Sequence, residues 1–127
     1  MRRRLDDERP SVTHKFQIGG EKGYVIVGLY PDGQPGEVFV RMAKEGSALA
    51  VLLDQWAIAV SIGLQCGVPL ETFVDKFGHV RFEPQGLTGN RAIPFAASPI
   101  DYIARWLGEK FTEHEENEGT DEIEDAV

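Results

Sequence analysis

Cys66, His14, His79 and His114 are the single cysteine and the three histidines of this 127-residue chain, and their spacing fits neither a metal site nor a catalytic pair. One cysteine excludes an internal disulfide, a CxxC redox pair and a multi-thiolate zinc site within the chain. Cys66 closes a long apolar stretch, where a thiol is expected as a small buried hydrophobe rather than a nucleophile. The densest polar cluster lies further on. His79, Arg81 and Glu83 alternate before Pro84, so an extended backbone would project all three from one face. Thr88, Asn90 and Arg91 follow, which makes the loop from His79 to Arg91 the candidate binding surface for a ligand or partner. Arg81 and Arg91 would give charge-assisted bonds to a phosphate or carboxylate, and Glu83 would orient one of them. The competing reading is that Arg81 and Glu83 pair with the neighbouring strands and hold the loop down. A glycine cluster, Gly19-Gly20-Glu21-Lys22-Gly23, reads as a turn between strands rather than a phosphate cradle, since no strand-to-helix junction follows it.

The elements that must position these residues follow from hydrophobic period. Thr13 to Ile18, Tyr24 to Tyr30 and Glu37 to Met42 are β-prone runs separated by the glycine turn and by Pro31-Asp32-Gly33-Gln34-Pro35-Gly36, which predicts an antiparallel meander. Ser47 is the expected N-cap of a helix to Cys66 that is apolar nearly all round and therefore expected to be buried, the axle of the fold. Its polar residues Asp54, Ser61 and Gln65 share one stripe, expected to face water. Leu70, Phe73, Val74 and Phe77 form the buried face of a short second helix ending at Gly78. His79 to Ala97 reads as irregular. Ser98-Pro99-Ile100-Asp101 opens a third helix in capping-box style, with Ile100, Ile103, Ala104, Leu107 and Phe111 on its apolar face. The expected class is α+β: an antiparallel three-stranded meander packed on one long buried helix plus two shorter helices.

Composition bounds the rest. An apolar content of 42% in 127 residues suffices for one core, with no room for a second catalytic domain. Three segments are expected: a solvated basic/acidic arm or linker over 1–12, the domain over 13–111, and an acidic disordered tail over 112–127. That tail holds eight of the 21 acidic residues and no Lys or Arg, so 13 acidic residues remain against 13 basic ones. The folded part is thus neutral overall and carries no electrostatic footprint for duplex DNA or RNA. The N-terminal MRRRLDDERP has no apolar core of a secretory signal, and Asp54, Gln55, Ser61 and Gly63 interrupt the long apolar run, so a cytoplasmic location with no membrane span is expected.

Ordered short motifs then point to a family. RRRL, THKF-I-G, KGY, VGLY-DGQPGE, MAKEGS, LQ-GVPLE, KF-H-RFEP-G-TGN and DYI-RWL, all lying between Arg2 and Leu107, resemble the C-terminal TSCPD region of adenosylcobalamin-dependent (class II) ribonucleotide reductases. The resemblance implies a reductase barrel upstream, holding the radical cysteine, its redox partners and the cobalamin, and a reducing cysteine pair near the far C-terminus. This chain carries neither. Cys66 stands where such reductases commonly have an aromatic residue, so it inherits no catalytic role. The implied function is a non-catalytic binding or accessory module in deoxyribonucleotide synthesis. Two alternatives are the small subunit of a split class II reductase and an interaction module of unrelated function. No cofactor is expected on this chain alone, adenosylcobalamin being implied only for a reductase partner. A class II reductase catalytic chain, a nucleotide and a further copy of the chain are the partners to consider.

Overall fold

The computed structural model describes residues 1–112; the acidic tail beyond Thr112, and His114 with it, lies outside the described residues. Three strands form an antiparallel meander in the order β1 (Ser11–Ile18), β2 (Glu21–Leu29), β3 (Pro35–Met42). The first turn is tighter than the glycine cluster implied. Ile18 pairs with Glu21, and the two residues between them, Gly19 and Gly20, both have positive φ, +56° and +91°. That geometry matches the right-handed twist of the flanking strands and is open to glycine without a Cβ penalty. Period-two alternation turns Phe16, Ile18, Val25, Val27, Val38, Val40 and Met42 to one face, where all are buried.

Helix α1 (Ala48–Gln65) lies on that face against β3, with Ser47 Oγ accepting from Ala50 N at 3.2 Å. It corrects two expectations. Although apolar on nearly all sides, it buries only Leu53, Ala57, Val60 and Gln65, while Val51, Leu52, Ile58 and Ile62 are exposed and Trp56 is half-buried. It covers one flank of the sheet and nothing described here covers its far side, so an apolar composition did not mean full burial. The polar stripe also points the other way for two of its three members. β3 is an edge strand whose outward backbone groups need partners. Ser61 Oγ accepts from Val38 N at 2.8 Å and Gln65 Nε2 donates to Gly36 O at 2.9 Å, leaving Asp54 exposed. Cys66, the C-cap residue, is exposed rather than buried.

The arm expected over 1–12 is mostly exposed but not detached: Arg2, Arg3 and Arg9 reach this same edge, Pro10 continues the β1–β2 ladder, and Ser11 and Val12 already belong to β1. Arg2 Nε donates to Gln65 Oε1 at 2.7 Å, the Arg3 guanidinium sits 4.0 Å above the Tyr30 ring, and Arg9 pairs with Glu37 at 2.6 Å. Arg3 N also donates to Gln65 O, and Leu29 N to Pro10 O.

Helix α2 (Leu70–Phe77) packs on α3 (Pro99–Phe111), whose N-cap Ser98 accepts from Asp101 N at 2.9 Å as the capping pattern required. α3 buries eight of its 13 residues against four of 18 for α1, so α3, not α1, is the central helix. Between the helices the stretch expected to be irregular contains a hairpin, β4 (Gly86–Asn90) and β5 (Ile93–Ala96). It forms because it is braced from outside: Gly19 N donates to Leu87 O at 2.9 Å, and Ile93 and Ala96 are buried among the core residues. The class is α+β as expected, with this second two-stranded sheet added.

Candidate functional site

A cleft of about 570 Å³ opens between β1 and β4 over α3. β1 is an edge strand, and His14 and Phe16 of its inner face and Lys15 and Gln17 of its outer face all border the cleft. β2 adds Lys22, β4 adds Thr88, Gly89 and Asn90, and α3 adds Tyr102. The cleft exists because the hairpin meets the meander only at its end. There Gly86, at φ +151°, brings its backbone so near the glycine turn that a Cβ would lie 2.9 Å from Gly19 Cα.

A directed chain of hydrogen bonds runs into the cleft. Asn90 Oδ1 accepts from Ala92 N at 2.9 Å, which fixes the amide orientation and makes Asn90 Nδ2 the donor to Tyr102 OH at 2.9 Å. Tyr102 is 1% exposed, and its own hydroxyl proton needs an acceptor. His14 Nε2 lies 2.9 Å away and can take it in the neutral tautomer that carries its proton on Nδ1. Burial lowers the His14 pKa from its ordinary value, with the Lys110 charge adding in the same sense, and burial raises that of Tyr102 against the Asn90 bond. Stacking holds the ring: Trp106 lies 4.7 Å from it between centroids, at 8°.

The residues singled out in the sequence divide. Thr88 and Asn90 enter the cleft, where Thr88 is buried, its hydroxyl donating to Ile93 O and accepting from Asn90 N. Arg81 and Glu83 are linked through Gln85, Arg81 Nη1 donating to Gln85 Oε1 at 2.5 Å and Gln85 Nε2 to Glu83 Oε2 at 2.8 Å, in an exposed cluster that does not line the cleft. Arg91 is exposed at the hairpin turn. His79 is exposed, with its backbone at φ +71°, a region costly for a residue with a Cβ. Asp101 holds it there. This carboxylate is 1% exposed and accepts from His79 N at 2.5 Å, Ala97 N at 2.7 Å, and Arg105 Nε and Nη2, both at 2.9 Å. Burial pushes the Asp101 carboxyl up, but these donors outweigh it and hold it below the usual carboxylate range. Asp101 is thus a clasp between the loop and α3.

Sequence reasoning passed over His14, Lys15, Gln17, Lys22 and Tyr102. A signal existed for His14: it shares the inward phase of β1 with Phe16, an unusual place for an imidazole. Tyr102 had only its place in the DYI-RWL motif, because its partner His14 is 88 positions away. Among the described residues, no three His, Cys, Asp or Glu side chains are grouped to hold a metal ion.

Comparison with known proteins places this geometry. The model of the TSCPD domain matches residues 2–111. A vitamin B12-dependent ribonucleotide reductase of Rhodopirellula baltica is 58% identical over 110 residues, 87% of this chain and 11% of the relative. One from Streptantibioticus cattleyicolor is 50% identical over 111 residues, 87% of this chain and 18% of its own. A third, from Bradyrhizobium diazoefficiens, is 48% identical over 107 residues, 84% of this chain and 8% of its own. This chain thus spans less than a fifth of the length of each of these relatives. No solved structure matches it. With nearly all of its described residues inside the match, the chain belongs to the TSCPD domain family.

Proposed function

We propose that this domain is an accessory, non-catalytic part of ribonucleotide reduction, acting in deoxyribonucleotide supply by binding the catalytic chain of a vitamin B12-dependent ribonucleotide reductase in the cytoplasm. The observation that carries the reading is the 58% identity over 87% of this chain to a segment that makes up 11% of such a reductase. A domain that its relatives carry within a much longer reductase is expected to contact the rest of that enzyme. The exposed apolar row on α1, Val51, Leu52, Ile58 and Ile62, is the face that contact would cover. Chemistry supports a non-catalytic role. Reduction of a ribonucleotide needs a radical thiol and two reducing thiols, and the single Cys66 cannot supply them. In this reading adenosylcobalamin belongs to the catalytic chain, as the resemblance implies it only there.

The test is co-purification with the reductase catalytic chain of the same cell, using the full chain and the double variant Leu52→Glu/Ile58→Glu. Capture by the wild type, lost in a variant that melts at the same temperature, is the expected result. Equal capture by both would remove α1 from the interface, and no capture by either would overturn the reading. So would deoxyribonucleotide formation by the purified chain alone with adenosylcobalamin and a dithiol.

A further inference from the structure

We infer that the cleft between β1 and β4 is a binding site for a small phosphate-bearing anion of nucleotide size. This goes beyond the accessory role and does not depend on it. The first ground is charge. The described lining holds Lys15 and Lys22 and no carboxylate, although the whole chain has a formal charge of -8. Among the described residues neither lysine has an ion-pair partner, and both residues are exposed, on the sheet face opposite to His14 and Phe16. Two cations bordering the cleft with no acid in its lining favour an anion, and most strongly one of multiple charge.

The second ground is the direction of the hydrogen bonds. Asn90, Tyr102 and His14 form a chain that engages Nε2 of His14. None of the described hydrogen bonds uses Nδ1, which carries a proton in the tautomer that accepts from Tyr102. The ring is held by Trp106 stacking, so a ligand oxygen that takes this donor meets little ordering cost. Gln17 adds an amide at the border of the cleft, beside Gly89, where the absence of a side chain at φ +77° leaves the backbone open to close approach. The third ground is size. The cleft lies within the range of small-molecule sites, large enough for a nucleoside phosphate, and the aromatic residues His14, Phe16 and Tyr102 form its wall.

The loop residues Arg81 and Arg91 supply the control, since both are exposed cations outside the lining. The experiment is calorimetric titration of the full chain with inorganic pyrophosphate, adenosine triphosphate and deoxyadenosine triphosphate. It compares wild type, Lys15→Gln/Lys22→Gln, His14→Phe and Arg81→Gln/Arg91→Gln, with melting curves for each. The lysine variant alters exposed side chains and should stay folded; His14→Phe keeps the stacked ring and removes the donor. Saturable binding that weakens about tenfold or more in both cleft variants and is unchanged in the arginine variant is expected. Equal affinity for pyrophosphate and the nucleotides would make the phosphates the whole determinant, and tighter nucleotide binding would add the nucleoside to it; either supports the site. No saturation by any probe at millimolar concentration, or binding lost only in the arginine variant, would overturn it.

Discussion

Replacing Asp101 by Ala removes the acceptor of four hydrogen bonds in one step. Its carboxylate is 1% exposed and faces the His79 and Ala97 amides and the Arg105 guanidinium, which is itself partly open to water. Ala97 is 6% exposed, so its N–H would be left buried without a partner, a loss of about 1–3 kcal/mol. Breaking a buried ion pair from one side costs about 3–5 kcal/mol, and because the terms share the same oxygens they do not add. The expected loss is about 3–5 kcal/mol, equivalent to a fall in Tm on the order of 10–20 °C for a domain of this size. Arg105→Ala leaves the buried carboxylate without its cation but still bonded by two amides, so it should cost a comparable or somewhat smaller amount, about 2–4 kcal/mol. Urea denaturation gives the energies, and amide hydrogen exchange at His79 and Ala97 locates them. The pH dependence supplies an independent check. The folded carboxyl lies below 3.8, so its contribution is complete above that value and is lost as pH falls through the folded pKa; Asp101→Ala should lack this loss. A destabilisation below about 1 kcal/mol, with unchanged exchange at His79, would show that the loop is held by apolar packing and that Asp101 is no clasp.

Two further outcomes test the packing and the cleft. Leu53→Ala should cost about 2–5 kcal/mol in urea denaturation, whereas Leu52→Ala, one position along the same helix and 53% exposed, should change stability by about 0.5 kcal/mol or less; comparable losses would contradict the one-sided packing of α1. For His14 the folded pKa lies below 6.5, so as pH falls from that value the unfolded chain takes up a proton that the folded one does not. Stability should therefore decline below about pH 6.5 until the folded pKa is passed, and His14→Gln should flatten that part of the profile; an unchanged profile would remove His14 from a neutral, half-buried role.

The meander, the caps and the class were legible because their causes are local. Alternation of Val38, Val40 and Met42 with Phe39 and Arg41 needs only the pleat, and Ser47 and Ser98 need only the orphan amides of the turn that follows. The β4–β5 hairpin was not legible. Its strands of five and four residues, broken by Gly89 and carrying Pro94, become strands only when Gly19 and α3 brace them. Composition likewise ranked α1 as the buried helix, since it reports how apolar a helix is and not how many neighbours surround it. Tertiary packing gave that place to α3, between the hairpin and α2. The candidate loop was partly readable: Thr88 and Asn90 do reach the cleft, as turn-forming polar residues whose side chains bond backbone nearby. Which residues complete it was decided by folding alone, because the His14–Tyr102 contact joins a strand to a helix 88 residues later, and no period or spacing in a chain encodes a bond of that range.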